Sequence, residues 1–315
     1  VFAADEDGLK ILMIGNSLSV DAGHMLNYVF ALEGYDNVRV STLYRSGCKL
    51  YQHVDHIEAP SNTNYLYTFY NSKHTDAAAA VANPASVKPT TVSKKTMLYG
   101  IQQDDWDIIV MQQGSSEAAQ ADTYNEDIQT IVDYVLQNDI NPDTKPLFVW
   151  NSIWGYPYNA DGLAPDDETA KKWLDYVTLL KRNTGSTTAD DVTQIKMVDM
   201  ITQAAKNKIL TNDHFAYVIP SGTAFIHSCA ALDNRTMYND YIHASDMGRL
   251  MISYVWYSAI TGNQVTSMPG AVPAVLMRSS TAGDRAITKN EKAVMLDSIG
   301  KAFADPYTMP TGFAN

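Results

Sequence analysis

Three residues in two short motifs have the side chains needed for nucleophilic catalysis. Ser17 lies in Gly-Asn-Ser-Leu-Ser, residues 15–19, directly after an apolar run at residues 10–15. Asp240 and His243 are separated by two residues and precede an apolar helical pattern. A carboxylate can accept a hydrogen bond from Nδ1–H of an imidazole and leave Nε2 free to take a proton from a hydroxyl. These residue types predict Ser17 as a nucleophile, His243 as its base and Asp240 as the group that orients the base.

Each motif also has a simpler interpretation. A serine at the start of a helix is commonly the N-cap, so Ser17 or Ser19 could have only that role. An aspartate three residues before a histidine also occurs by chance, so the pair alone does not identify a catalytic site. Both interpretations of each motif are open at this point.

Two further loops offer hydrogen-bond donors for the oxyanion that forms when a carbonyl is attacked. Gly47, in Arg-Ser-Gly-Cys at residues 45–48, could bring a backbone N–H close to the carbonyl because it has no side chain. Residues 112–117, Gln-Gln-Gly-Ser-Ser-Glu, offer side-chain amides and hydroxyls, and a glutamine amide is a competent oxyanion donor. By themselves the two segments are more simply a turn and a polar loop.

Strands and helices alternate along the chain and would bring these loops to one edge of a sheet. Strands are predicted at residues 10–15, 37–44, 107–112 and 147–150, and at 218–220 with the residues just before. Residues 45–92 have no sustained hydrophobic period and are predicted to be a long loop region with one or two helical turns at 77–82. Helices are predicted at residues 21–34, 94–103, 125–137, 168–181, 189–210, 223–232 and 244–260.

This alternation predicts an α/β fold. Helices on both faces of the sheet make a three-layer sandwich, and the sheet is expected to be mainly parallel and five-stranded. Ligands of such sheets bind at the carboxyl ends of the strands, where the loops described above begin.

The order of these features resembles the SGNH (GDSL-type) hydrolase superfamily. Residues 15–19 look like its first block, in which an aspartate often stands at the position of Asn16, and Gly47 looks like the second block. Asp240 and His243 match the spacing of the fifth block.

One block departs from the superfamily pattern. The third block is usually Gly-x-Asn-Asp, whereas residues 114–117 are Gly-Ser-Ser-Glu and contain no asparagine. Some sugar esterases of the superfamily use a glutamine just before the glycine instead. That resemblance implies Gln113 as the third oxyanion donor, with Gln112 and Ser116 as alternatives.

Residues 11–17 and 106–113 look most similar to a poorly characterised bacterial branch near the carbohydrate O-acetyl esterases. The resemblance implies a flavodoxin-like SGNH hydrolase fold. No repeat or interdomain linker is evident, so residues 1–315 are expected to be a single domain, with a core at 10–262 and a C-terminal extension at 263–315 packed on it.

The resemblance also implies an activity. It implies a serine esterase that hydrolyses small acyl esters, acetyl above all, on a carbohydrate, with the triad Ser17, Asp240 and His243 and no cofactor or metal. The oxyanion donors would be Ser17, Gly47 and Gln113. Two alternatives are a lipid or thioester hydrolase with the same triad, and a non-catalytic glycan-binding protein with the same fold.

Charge and composition exclude several classes of partner. The chain has 315 residues, of which 35 are acidic and 23 are Lys or Arg, so its formal net charge is −12. Such a charge repels nucleic acid and anionic membrane surfaces. No stretch approaches the ~20 apolar residues of a membrane span, so no membrane insertion is expected. The 19 tyrosines include many in predicted loops, which suits contact with sugars or other polar ligands.

Cysteines, histidines and the first residues give only weak indications. Two cysteines, Cys48 and Cys229, are too few for a disulfide scaffold, although a single bridge between them is open. His53 and His56 lie close together but have no further ligand cluster, so no metal is expected. The small residues followed by acids at residues 1–8 suit the start of a mature exported chain.

Four aromatic residues lie at the end of the fourth predicted strand or shortly after it. They could line a sugar subsite or pack on the core, and the sequence does not decide between the two. The four residues are Trp150, Trp154, Tyr156 and Tyr158.

Overall fold

The first strand lies in the interior of the fold. The structure is a computed structural model that describes residues 8–70, 76–157, 194–279 and 283–313. Strand β1 is Lys10–Gly15, as predicted, and all of its residues after Lys10 are buried. Apolar side chains on both faces of a strand are typical of a sheet covered by helices on both sides.

One sheet of seven strands runs through the described residues. The other strands are β2 (Arg39–Tyr44), β3 (Tyr65–Phe69), β4 (Thr90–Lys95), β5 (Ile108–Met111), β6 (Leu147–Asn151) and β7 (Phe215–Ile219). Their order across the sheet is β4-β3-β2-β1-β5-β6-β7. Five adjacent strands in this order, β2-β1-β5-β6-β7, are parallel to one another and have the flavodoxin-like arrangement. The predicted fold class is therefore confirmed.

The sheet has two more strands than predicted, because the prediction of a long loop at residues 45–92 is wrong. That segment contains β3 and β4, which add antiparallel strands at one edge of the sheet. Strand β4 has the sequence Thr-Thr-Val-Ser-Lys-Lys and is largely exposed, so it shows no apolar alternation. Edge strands are commonly polar or charged, since a bare apolar edge would promote aggregation.

Helices cover both faces of the sheet. They are α1 (Ser17–Gly23), α2 (Leu26–Leu32), α3 (Leu50–Glu58), α4 (Ala77–Ala82), α5 (Met97–Ile101), α6 (Asp127–Asn138), α7 (Gln194–Lys208), α8 (Ser221–Ala231), α9 (Asn234–Met237), α10 (Asp246–Thr261) and α11 (Lys289–Ala304).

Alternate residues of β1 belong to two separate cores. Ile11 and Met13 pack in one core with α1, α2, α8, α10 and α11. Leu12 and Ile14 pack in the other core with α3, α5 and α6. The period of two along the strand therefore produces the predicted three layers.

The helices predicted at residues 125–137, 223–232 and 244–260 are confirmed within a few residues. The helix predicted at residues 94–103 begins only at Met97, because Lys94 and Lys95 belong to β4, and α3 lies in the segment predicted to be a loop. The helix predicted at residues 21–34 is two helices, α1 and α2, which together begin four residues earlier. The helix predicted at residues 168–181 lies outside the described residues. No described helix is long and apolar enough to span a membrane.

Residues after 262 pack back on the sheet helices. A two-stranded antiparallel ribbon pairs β8 (Ala271–Val272) with β9 (Arg285–Ala286). His24 Nε2 lies 2.7 Å from the carbonyl oxygen of Leu276, and Thr223 Oγ1 donates a hydrogen bond of 2.6 Å to the carbonyl oxygen of Pro306. These contacts join the C-terminal segment to α1, α2 and α8.

Candidate active site

Ser17 is the first residue of α1 and follows β1 after one residue. Asn16 caps this helix, because its Oδ1 accepts a hydrogen bond of 2.9 Å from the backbone N–H of Leu18. The interpretation of Ser17 as the cap is therefore wrong, and its partly exposed hydroxyl has no capping role. The junction between strand and helix is tight, since a Cβ on Gly15 would collide with Oγ of Ser19.

Asp240 and His243 form a compact hydrogen-bonded turn before α10. Asp240 Oδ1 accepts hydrogen bonds from the backbone N–H groups of Ile242 (2.9 Å) and His243 (2.7 Å). Asp240 Oδ2 lies 2.8 Å from His243 Nδ1. A carboxylate can only accept here, so Nδ1 of His243 donates and Nε2 has no proton in the neutral ring.

The ionisation state of Asp240 supports this arrangement. Burial alone would raise the pKa of the carboxyl. The hydrogen bonds from the His243 ring and from the backbone N–H groups of His243 and Ile242 outweigh burial, and they lower the pKa of Asp240 to about 2. Asp240 is thus a carboxylate at neutral pH and can stabilise a protonated His243.

The loop that contains His243 is held on several sides. Trp154 Nε1 donates a hydrogen bond of 2.8 Å to the carbonyl oxygen of Ile242. The backbone N–H of Asn239 donates to the carbonyl oxygen of His243 at 2.8 Å. On the other side, Asp21 of α1 accepts a hydrogen bond of 2.9 Å from the backbone N–H of Ala244. The helix of Ser17 and the loop of His243 are therefore directly bonded to each other.

Gly47 lies in the loop after β2, at the same edge of the sheet as Ser17. Its φ of +58° is in the left-handed region that favours glycine, and it is exposed. Asn16 Nδ2 donates a hydrogen bond of 3.1 Å to the carbonyl oxygen of Cys48, which ties this loop to the residue before Ser17. Within the described ranges, neither the Ser17 nor the Gly47 backbone N–H has a hydrogen-bond acceptor.

Gln113 is buried, and both ends of its side-chain amide have hydrogen-bond partners in the protein. Its side chain is 1% exposed, and Nε2 donates to Oγ1 (3.0 Å) and the carbonyl oxygen (3.3 Å) of Thr123. Its Oε1 accepts from the backbone N–H groups of Leu50 (3.0 Å) and Gly114 (2.8 Å). The carboxamide is therefore engaged within the loops, and it would have to leave Thr123 to reach an oxyanion.

The alternative donor Gln112 belongs to a buried chain of hydrogen bonds. Gln112 Nε2 donates to Asn16 Oδ1 at 2.9 Å, and Gln112 Oε1 accepts from Asn151 Nδ2 at 2.9 Å. Asn151 Oδ1 in turn accepts from Ser221 Oγ at 2.6 Å, and Ser221 Oγ accepts from Trp256 Nε1 at 3.1 Å. The chain joins the carboxyl ends of β1, β5 and β6 and fixes Asn16 beside the nucleophile. The third candidate, Ser116, is exposed.

A buried cluster of Cys48, His53 and His56 lies beneath the Gly47 loop. His53 Nδ1 is 2.6 Å from Tyr65 OH and 3.5 Å from Cys48 Sγ, and Arg45 Nη1 is 2.5 Å from His56 Nε2. Burial, with the nearby His56 and Arg45, lowers the pKa of His53 to about 3, so its ring is neutral. Across the described ranges, no group of three or more His, Cys, Asp or Glu side chains is arranged to hold a metal ion.

Both cysteines are free and buried. Cys48 and Cys229 therefore form no bridge in this structure. Burial raises the pKa of the Cys48 thiol to about 12, so it is protonated and unreactive at neutral pH.

The aromatic residues at the end of β6 and after it are part of the core. Trp150 and Trp154 are fully buried, and Trp154 stacks on Phe225 with ring centroids 5.2 Å apart. Tyr156 is 6% exposed, and its hydroxyl is 3.0 Å from Ser115 Oγ. The core interpretation is therefore right for these three residues, and Tyr158 lies outside the described residues.

Sequence reasoning missed three residues that organise the site. Asp21, Asn151 and Ser221 are buried polar residues whose partners are far away in the chain. Asn151 had a detectable signal, because it is a polar residue directly after the apolar run at residues 147–150, as Asn16 is after the run at residues 10–15. Asp21 had no such signal. An aspartate in the first turns of a helix is usually exposed to solvent and interacts favourably with the helix dipole.

Comparison with known proteins gives a family and a set of structural neighbours. Residues 10–288 match the profile of the family described as "Domain of unknown function (DUF4886)". No curated protein matches the chain. The crystal structure of a DUF4886 family protein from Bacteroides uniformis is similar, with a TM-score of 0.68 at 20% identity over 96% of this chain and 97% of that one.

Two further solved structures have lower similarity. A "putative SGNH hydrolase" from Slackia heliotrinireducens has a TM-score of 0.41 at 19% identity, over 80% of this chain and 98% of that one. A lipase from a goat rumen metagenome has a TM-score of 0.41 at 11% identity, over 80% and 97% of the two chains. The family match covers most of the sequence and includes Ser17, Gly47, Asp240 and His243. The chain therefore belongs to the DUF4886 family.

Proposed function

We propose that this protein is a serine hydrolase of small acyl esters. The observation that supports the proposal most strongly is the contact of 2.8 Å between Asp240 Oδ2 and His243 Nδ1, in a loop bonded to the helix that begins at Ser17. Nucleophilic acyl transfer requires a carboxylate, an imidazole and a serine hydroxyl that is free to react, and the hydroxyl of Ser17 does not cap its helix.

In the first half of the reaction, Ser17 attacks the ester carbonyl. Nε2 of His243 accepts the proton of the Ser17 hydroxyl as Oγ bonds to the carbonyl carbon. Asp240 stabilises the imidazolium that forms. The tetrahedral intermediate then collapses, His243 gives its proton to the leaving alkoxide, and the acyl group stays on Ser17.

In the second half, water replaces the alcohol. His243 takes a proton from the water as its oxygen attacks the acyl carbonyl carbon. Collapse of the second tetrahedral intermediate breaks the bond to Ser17 Oγ, which takes the proton back from His243. The products are the carboxylic acid and the free enzyme, so the cycle needs no cofactor.

We propose that the backbone N–H groups of Ser17 and Gly47 form the oxyanion hole. Both are without a protein acceptor in the described chain, and the hydrogen bond from Asn16 to the carbonyl of Cys48 joins their two loops. Gln113 bonds to Thr123, so we assign it to holding the loop after β5 rather than to the oxyanion.

The proposed substrate class is an acetylated carbohydrate. The net charge of −12 disfavours anionic membranes, and Tyr51, close in sequence to Gly47, is 44% exposed with Lys49 Nζ 5.6 Å from its ring centre. An exposed aromatic ring with a polar tip suits the face of a sugar.

Hydrolysis of p-nitrophenyl acetate tests the proposed activity. Ser17→Ala and His243→Ala should each remove nearly all turnover. The double variant should be little worse than either single one, because the groups act as a unit. Ser19→Ala is the matched control, since this buried serine of the same helix is close to Gly15 and has no proposed role. Full turnover in folded Ser17→Ala would refute the proposal.

A further inference from the structure

An ionic cluster around a buried aspartate joins the helix of the nucleophile to the loop of the base. We call it the Asp21 cluster, and it consists of Asp21, Arg249 and Arg278. Asp21 lies four residues after Ser17 on α1 and is 1% exposed. Its Oδ1 accepts from Arg249 Nε at 2.8 Å and from Arg278 Nη2 at 2.7 Å. Its Oδ2 accepts from the backbone N–H of Ala244, the residue after His243.

Arg278 binds the backbone carbonyl group of Ala244. Its Nη2 and Nε donate to the carbonyl oxygen of Ala244 at 3.2 and 3.3 Å. Its backbone N–H donates to Asp246 Oδ1 at 3.0 Å, at the start of α10. The N–H and the C=O of Ala244 are thus both bonded to the cluster, so the backbone after His243 is fixed in position and direction.

Two rigid supports therefore act on His243. Asp240 fixes the orientation of the ring through Nδ1, and the Asp21 cluster fixes the backbone that carries the ring relative to α1. Charge-assisted hydrogen bonds are short and directional, so they restrict geometry more than apolar contacts do. A displacement of about 1 Å in a catalytic group can reduce the rate about 100-fold.

The cluster crosses the boundary between the expected core and the C-terminal extension. Asp21 and Arg249 lie within residues 10–262, whereas Arg278 comes from the segment that follows. The family profile continues to residue 288 and so includes this arginine. The extension thus provides a contact to the loop of the proposed base.

We propose that Arg278 is a positioning residue, which acts through Asp21 and Ala244 to hold His243 in place against Ser17. This inference rests on the proposed function. It assigns a role in the reaction to a residue outside the expected core.

The test compares Arg278→Met with Arg278→Lys and with the control Arg285→Met. Arg285 is a matched control because it lies in the same segment, has a similarly exposed side chain (33% against 29%) and forms an ion pair with Glu291 at 2.7 Å. We measure kcat and KM for p-nitrophenyl acetate, the melting temperature, and hydrogen exchange of the Ala244 amide in the full chain. Ser17→Ala is assayed in parallel.

We expect Arg278→Met to lower kcat about 10- to 100-fold and to change KM less than about twofold. Arg278→Lys should recover part of the loss, since it restores one donor and the charge. Exchange of the Ala244 amide should accelerate in Arg278→Met. Arg285→Met should retain the wild-type kcat and the wild-type rate of exchange at the Ala244 amide. This should hold even if its melting temperature falls as much as that of Arg278→Met.

Wild-type kcat in Arg278→Met, or an equal loss of kcat in Arg285→Met, would overturn the inference. If Ser17→Ala hydrolyses the ester as fast as the wild type, the proposed function fails. The positioning claim is then decided by the exchange data alone, and unchanged exchange at Ala244 in Arg278→Met refutes it.

Discussion

Asp21 accepts a hydrogen bond of 2.9 Å from the backbone N–H of Ala244, a residue 223 positions later in the chain. The contact joins the helix that begins at Ser17 to the loop that contains His243. Because Asp240 also holds His243 at 2.8 Å, the proposed base is fixed both through its ring and through its backbone.

The Asp240 carboxylate should stabilise the fold except in acid. The pKa of Asp240 is about 2 in the folded protein and about 3.9 for an ordinary aspartate. Its contribution is therefore complete above about pH 4 and is lost as the pH falls towards 2. The difference in melting temperature between wild type and Asp240→Asn should shrink over that interval. A difference that is the same at pH 2 and pH 6 would contradict the assignment.

Gln112 should be a structural residue and not an oxyanion donor. Gln112→Ala leaves the buried Asn151 amide without its acceptor and opens a small cavity, so the free energy of unfolding should fall by about 2–4 kcal/mol. Gln120→Ala removes a more exposed hydrogen bond to the carbonyl of Ser116 and should change it by less than about 0.5 kcal/mol. Urea unfolding measures both, and equal stabilities of the two variants would count against the buried chain.

Gln113 and Thr123 should behave as a pair. If Gln113 holds the loop after β5, Gln113→Ala lowers the free energy of unfolding by about 2 kcal/mol or more, because two backbone N–H groups lose their acceptor. Thr123→Val should give a smaller loss of the same kind, and kcat should fall less than about 10-fold in both. If Gln113→Ala instead loses about 100-fold in kcat at unchanged stability, Gln113 is an oxyanion donor after all.

The length of the acyl chain separates the carbohydrate esterase from a lipid hydrolase. Each methylene buried in an apolar pocket contributes about 0.8 kcal/mol, so an acyl tunnel would make kcat/KM rise steeply from acetyl to octanoyl esters. We expect acetyl esters to be preferred, and acetate to be released from acetylated xylan or pectin fragments. Preference for octanoyl esters would refute the carbohydrate substrate and leave the triad unaffected.

Much of the fold could be predicted because its strongest signals are local. Strand β1 is apolar on both faces, and the residues at 15–19 follow it directly, so both element and candidate nucleophile are readable from a few positions. Strand β4 could not be predicted in this way, since it lies at the edge of the sheet and half of its residues are Lys or Thr with exposed side chains. Only its pairing with β3 makes it a strand.

The supports of the site could not be predicted for a related reason. The sequence does not indicate that Asp21, Arg249 and Arg278 belong together, because more than 200 residues separate Asp21 from the two arginines. The partner of Gln113 could not be predicted either. Its side-chain amide is a suitable oxyanion donor by type, but in the structure it donates a hydrogen bond to Thr123. Residue type and order identify the candidates, whereas the hydrogen-bond partners decide their roles.

Mapping the residue that a serine-directed inhibitor modifies tests the central claim most directly. The protein is treated with a fluorophosphonate, which forms a stable adduct with an activated serine, and its peptides are analysed by mass spectrometry. We predict a single adduct on Ser17 in the wild type and a much slower reaction in His243→Ala, since that variant lacks the base. An adduct on another residue, or active protein with Ser17 unmodified after full inhibitor exposure, would contradict it.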